Sequence, residues 1–277
     1  MSDATTGAGV TGSGIERAAY HTRLEALLAY TGPCERLYFG HEFCQRLLPS
    51  PLEANRAYEH ARTCDKGFTL VTPFVTNAGL ARVRLLLTSL LATAAGDPFE
   101  VVVNDWGVLH LLHREHPELP LALGRLLTKQ KRGPRIMNMA DVLPAGAWDH
   151  FQRANSDVPH LSRFLESQGV ARVELDNLLQ GISRSGGLTA SLWYPFLYIT
   201  TTRLCLLMSG DRPEKNLRSL GTCGRECRTY RVTLTHKDMP VPILVQGNTQ
   251  FFRNDRLPED LAALNISRLV FAPDIPA

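Results

Sequence analysis

Apolar positions along the chain fall into two kinds of run that alternate. Short runs rich in β-branched and aromatic residues read as buried strands: RLYFG at 36–40, GFTLVTPFV at 67–75, EVVV at 100–103, LAL at 121–123, ARVEL at 171–175, the segment 191–199, and RLVF at 268–271. Between them lie stretches with helical spacing. The first is Ile15–Tyr30, with Ile15, Ala18, Ala19, Leu24, Leu27 and Leu28 on one face. Helices are also predicted over Leu52–Cys64, over Leu80–Ala95 with Asn77 as cap, after Gly107 through Leu112, twice between Ala145 and Gln168, and over Pro258–Leu264. The runs 229–235 and 241–246 flank Asp238-Met239-Pro240 as a hairpin.

Strands alternating with helices predict an α/β fold with a mainly parallel sheet. About eight or nine strands suit a (β/α) barrel of TIM type, regular or distorted, with a C-terminal hairpin. The chain shows no internal repeat and no proline-rich linker, so residues 15–277 are expected to form one domain. Residues 1–14 are rich in Gly, Ser, Thr and Ala and have the composition of a disordered tail. In barrels of this kind the chemistry sits at the C-terminal ends of the strands. Gly40-His41-Glu42, Asn104-Asp105 and Gly124-Arg125 fall there.

Composition narrows the picture only a little. A net charge of +3 over 277 residues names no partner. The start of the chain lacks the apolar stretch of a signal peptide. The longest apolar run, Leu192–Met208, contains Arg203 and falls short of the roughly 20 residues of a membrane span. The expectation is a soluble, cytoplasmic protein, where six cysteines do not make a disulfide framework.

Cys223-Gly-Arg-Glu-Cys227 puts two thiols four residues apart in a glycine-containing loop, within reach of one metal centre. Cys205 lies upstream of it, and Cys44 follows the RLYFG strand. Soft thiolates select iron–sulfur clusters or zinc, and the spacing alone does not choose between them. Cys64 has Ala57 and Ala61 on its helix face, and Cys34 precedes a strand beside Pro33, so both read as packing residues.

Five stretches carry a resemblance to a known family: YFGHEFC (38–44), VVNDWGVLHLL (102–112), LPLALGRLLTKQK (119–131), the span from Asp211-Arg212-Pro213 to CGREC (211–227), and VQGNTQFFRN (245–254). In these the chain resembles the U32 peptidase-like family, and within it the proteins of oxygen-independent ubiquinone hydroxylation. The resemblance implies a [4Fe–4S] cluster on Cys44, Cys205, Cys223 and Cys227. It implies a role in hydroxylating a quinone precursor or an RNA base, with RNA as a possible partner. It further implies a second U32-like subunit in a heterodimer, and an anionic donor such as prephenate. The interval from Cys205 to Cys223 is longer than the family pattern, a difference in loop length. The alternatives are a U32-type peptidase, or a non-catalytic iron–sulfur subunit of a heterocomplex. The sequence contains neither HExxH nor G-x-S-x-G.

Other candidates come from strand ends. Arg125, Lys129, Lys131, Arg132 and Arg135 place five cations within eleven residues, suited to a carboxylate or phosphate. Arg125 and Lys129 are the expected substrate contacts. Asn104, Asn248 and Gln250 are further candidates for substrate binding. Asp105 is either a helix cap or a catalytic acid, and Glu174 points inward by alternation as a candidate general acid or base.

Overall fold

The computed structural model describes residues 14–205, 207–209 and 223–276; the tail at 1–13 and the Asp211-Arg212-Pro213 stretch lie outside them. The elements run β1 (Glu16–His21), α1 (Leu24–Leu28), β2 (Arg36–Gly40), α2 (Pro51–Thr63), β3 (Gly67–Val71), α3 (Asn77–Ala94), β4 (Glu100–Val103), α4 (Trp106–Glu115), β5 (Leu121–Leu123), α5 (Ala145–Gln152), α6 (Pro159–Ser167), β6 (Val170–Asp176), β7 (Thr189–Tyr194), β8 (Phe196–Thr201), β9 (Val232–Leu234), β10 (Ile243–Gln246), β11 (Thr249–Arg253) and β12 (Ile266–Phe271). Eight strands close a barrel in the order β1-β12-β7-β6-β5-β4-β3-β2, and every neighbouring pair is parallel. The chain between β7 and β12 carries a second, antiparallel sheet in the order β8-β11-β10-β9.

The predicted barrel is therefore present, and several predicted elements are corrected. The helix expected over Ile15–Tyr30 is β1 followed by the short α1. Both faces of β1 are covered: Ala18 and Tyr20 join the core inside the barrel, and Ala19 joins the layer under the helices. A strand buried on both sides shows no polar alternation, so its small residues imitate helical spacing. The segment 191–199 divides into β7 and β8 at Pro195. Thr76, not Asn77, caps α3, its hydroxyl accepting from the Gly79 amide at 3.4 Å. Pro258–Leu264 forms turns rather than a helix, and β11 is an additional strand. No helix among the described residues is long and apolar enough to cross a membrane.

The barrel interior is polar at its base and aromatic in its middle. Near the strand N-termini Arg268 bonds Glu16 at 2.5 Å and Glu100 at 2.6 Å, and Arg36 bonds Glu16 at 2.7 Å. Above them Tyr38 donates to Glu174 at 3.2 Å, and the Trp193 indole N–H donates to its other oxygen. Glu174 does point inward, as alternation predicted, but it is fully buried under Trp193.

Burial, then the neighbouring Glu100 carboxylate, lifts the Glu174 carboxyl to about 7 from 4.5, against the pull of Arg268. The folded state therefore holds a proton that the unfolded chain has released, and stability contributed by this group falls as pH rises from about 4.5 to 7. The change is on the order of 3 kcal/mol. Glu174→Gln should flatten that part of the stability profile; urea unfolding at pH 5 and pH 7.5 on both proteins measures it.

Candidate metal centre and adjoining cleft

Gly40 ends β2 at φ +133°, where an added Cβ would lie 2.1 Å from the Val71 carbonyl oxygen. Only glycine fits so close an approach. The chain then turns across the barrel mouth as His41-Glu42-Phe43-Cys44. The His41 ring accepts, through Nδ1, from the amides of Phe43 and Cys44, each at 3.2 Å. Glu42 is anchored from below by Arg125, whose Nε donates at 3.1 Å and whose Nη2 completes a two-pronged pair. Arg125 also donates to Asp176 at 2.7 Å and to the Phe196 carbonyl at 3.1 Å, and its guanidinium lies 4.1 Å over the Trp193 ring.

The other three cysteines come from the chain between β8 and β10. The turn joining β10 to β11 holds their segments in place. Gly247 takes its first central position at φ +62°, and an added Cβ there would meet the Cys227 Cβ at 3.2 Å. Asn248 donates at 2.6 Å to the Phe43 carbonyl and at 2.6 Å to the Thr202 carbonyl. One amide thus ties the Cys44 turn to the segment leading into Cys205. Gln246 donates to the Cys227 carbonyl at 2.8 Å. This turn is legible in the sequence as Gly-Asn between ILVQ and TQFF, two strand-like runs.

Cys44, Cys205, Cys223 and Cys227 line one cavity of about 160 Å³, together with apolar Phe43, Leu47, Phe74 and Met208. Burial, followed by the neighbouring Cys205, Cys44 and Cys223, pushes the Cys227 thiol up to about 11. Burial likewise raises the Cys44 and Cys205 thiols; Cys44 also feels Cys223 and Cys205, and Cys205 feels Cys223 and Glu226. Cys34 and Cys64 stand apart: Lys66 Nζ lies 3.0 Å from the Cys34 sulfur, and exposed Cys64 faces His60 at 3.8 Å. Among the described residues no three His, Cys, Asp or Glu side chains are placed to hold a single metal ion. The four thiols share a cavity rather than a point. A lone water-sized occupant needs only about 10–15 Å³ of such space. Thiol-only donors are chemically suited to an iron–sulfur cluster or to zinc.

Beside this cavity lies an open cleft of about 550 Å³, lined by Asn104, Asp105, Trp106, Lys129, Gln130 and Arg203 among others. Phe74 and Arg203 line both spaces, with the Arg203 guanidinium 5.2 Å over the Phe74 ring and donating to the Val75 carbonyl at 3.1 Å. Asp105 caps α4, accepting from the Gly107 amide at 2.7 Å and, with its other oxygen, from the Val75 amide at 3.1 Å. Asn104 links three strand ends, donating to the Thr72 carbonyl and accepting from the Leu126 amide, each at 3.0 Å. Lys129 lines the cleft with its ammonium 2.7 Å from the Leu126 carbonyl oxygen; burial, then Arg132, lowers its pKa.

Three expected substrate contacts are placed differently. Arg125 is 0% exposed, and Glu42, Asp176 and the Phe196 carbonyl take its donors. The mouth is roofed at that point by the antiparallel sheet, whose Tyr198 hydroxyl donates to the Arg125 carbonyl at 2.8 Å. Asn248 fastens backbone segments. Gln250 sits within β11 opposite Val245 and lines neither the cysteine cavity nor the cleft. Sequence reasoning missed Arg203 and Phe74, which carry no motif and matter through their position between the two spaces.

Asn248→Ala should cost about 1–3 kcal/mol, because two inward-facing carbonyls lose their donor. Arg125→Ala should cost about 3–5 kcal/mol, because it strands two buried carboxylates. Chemical denaturation measures both. A loss below 1 kcal/mol for Arg125→Ala would contradict the buried role.

No family model matches the chain, and no curated protein matches it. Among solved structures, it is similar to the U32 peptidase Mk0906 at 11% identity, over 100% of both chains, with a TM-score of 0.47.

Proposed function

We propose that Cys44, Cys205, Cys223 and Cys227 hold a [4Fe–4S] cluster, and that the chain takes part in an oxygen-independent hydroxylation of the U32-like kind. The observation that carries the reading is the convergence of four thiols, from stretches far apart in sequence, on one cavity, with the other two cysteines left out of it. Four thiolates are the usual ligand set of such a cluster, and thiol-only donors select it or zinc. A tetrahedral zinc needs all four sulfurs about 2.3 Å from one centre. A cluster would be held by the same four residues, and metal and sulfide content separates the two.

When bound, the cluster supplies electron transfer. The chain's own residues do the rest. The Asn248 amide and the Gln246 side chain hold the cysteine segments in register. Phe43, Phe74, Leu47 and Met208 give the cavity an apolar wall beside the sulfurs. The adjoining cleft receives the substrate. Lys129 and Arg203 give it a cationic wall for an anionic oxygen donor of the dicarboxylate type, and the exposed Trp106 ring offers a face for a planar acceptor. A second U32-like subunit as partner in a heterodimer belongs to the same reading.

Purified without oxygen, the protein should be brown and contain about four irons and four sulfides per chain. Cys44→Ala, Cys205→Ala, Cys223→Ala or Cys227→Ala should each abolish or destabilise that colour. Cys34→Ala and Cys64→Ala should leave it unchanged. Stoichiometric zinc without labile sulfide, after anaerobic reconstitution, would refute the cluster. Peptide cleavage by metal-free protein, undiminished in the cysteine variants, would replace the hydroxylation reading with a peptidase.

A further inference from the structure

A second cavity, about 220 Å³ in volume, opens on the outer side of the cysteine-bearing loop, lined by Arg23, Arg82, Arg225 and Arg228 together with Ser50 and Glu53. The four arginines come from different places: Arg23 precedes α1, Arg82 is on α3, Arg225 lies between Cys223 and Cys227, and Arg228 follows Cys227. Among the described residues only Arg23 has a carboxylate within 4 Å, Glu25 at 3.9 Å. Two carboxylates, Glu25 and Glu53, also line the cavity, and Glu53 is engaged in the capping box of α2, where it accepts from the Ser50 amide and the Ser50 hydroxyl, both at 2.7 Å. Arg82 donates one N–H to the Gln45 carbonyl at 3.0 Å. The four guanidiniums outnumber the two wall carboxylates, which leaves a net positive space, and guanidinium forks match the oxygens of a phosphoryl group.

An independent observation extends the site. The cavity adjoins a groove of about 320 Å³ that shares Thr22, Arg23, Leu47 and Arg228 with it and is further lined by His21 and Tyr30. His21 is 6% exposed, its ring lies 4.8 Å from that of Tyr30, and its Nε2 meets no hydrogen-bond partner among the described residues. A buried polar atom without a partner, on the wall of a groove, marks a place for a ligand's polar group. Burial lowers the His21 pKa to about 4, so the ring is neutral near pH 7 and offers one neutral hydrogen bond there.

From these features we infer that the chain binds a small phosphate monoester, its phosphoryl group among Arg23, Arg82, Arg225 and Arg228 and its body along the groove beside His21. This site is separate from the cleft beside the cysteines, and it stands whatever those cysteines hold. Two of its arginines belong to the C-x₃-C loop, so an occupied site would brace that loop against the start of α2.

Titration calorimetry on the full-length protein, purified without oxygen and held at low salt, tests the site with two probes: inorganic phosphate and glycerol 3-phosphate. Both should bind at one site and compete. Tighter binding of the monoester supports the groove as the seat of the ligand's body, and equal binding of the two would overturn that part of the assignment. Arg225→Gln and Arg228→Gln should each weaken both probes about tenfold or more, as loss of a charge-assisted bond does. Arg225 is the safer variant, because its side chain makes no hydrogen bond within the described residues. His21→Ala should weaken the monoester alone. Arg163→Gln, a charge change on α6, should leave binding unchanged. The proposal is overturned if neither probe binds, if the Arg225 and Arg228 variants bind like the parent, or if Arg163→Gln loses as much affinity as they do.

Discussion

The structure depends on one buried charge. Arg125 sits inside the barrel mouth with Glu42 on one side and Asp176 on the other, all three fully buried. Arg132 reaches the second oxygen of Asp176 at 2.5 Å, so two cations face two carboxylates. A charge at that depth is tolerable only when each of its hydrogen-bonding groups is met. The partners come from the loop after β2, the end of β6 and the loop after β5. Satisfying them therefore fixes how three strand ends meet. Burial works against the charge on Arg125, but the two carboxylates outweigh it and keep the guanidinium protonated.

The consequence reaches the cysteines through two residues of chain. Glu42 is held by Arg125, and Cys44 follows at the end of the same turn. Asn248 grips this turn from the other side and ties it to the approach to Cys205. The antiparallel sheet inserted between β7 and β12 thus does two things. It roofs the barrel over Arg125 with Tyr198 and Phe251, and it presents the β10–β11 turn that gathers the cysteine segments. What an open barrel would leave as one wide mouth becomes a thiol-lined cavity and a separate cleft that share Phe74 and Arg203.

Polar groups inside the barrel form a ladder from base to mouth. Glu16, Glu100 and Arg268 form the base, Tyr38 and Glu174 the middle, and Trp193 separates them from Arg125. Hydrogen bonds and ion pairs join the side chains of each rung. The cysteine cavity and the cleft lie at the mouth and in the loops above it.

The alternation of strand and helix made the barrel legible from the chain alone, because β2, β4, β5 and β6 are short apolar runs bounded by turn residues. Spacing alone brought Cys223 and Cys227 together one loop apart, while Cys44 and Cys205 were grouped with them only by the resemblance to the U32-like proteins. β1 was not legible, because a strand covered on both faces loses its alternation. The roles of Arg125, Asn248 and Glu174 were equally hidden. Sequence places a cation, an amide or a carboxylate at a strand end, but only the folded chain decides whether water or another side chain stands opposite it. Here the inserted sheet excludes water from Arg125, and an exposed anion-binding residue becomes a buried structural one. Local sequence determined the elements and the supply of thiols; burial and pairing across long stretches of chain decided which polar groups are spent inside the fold and which remain to meet a ligand.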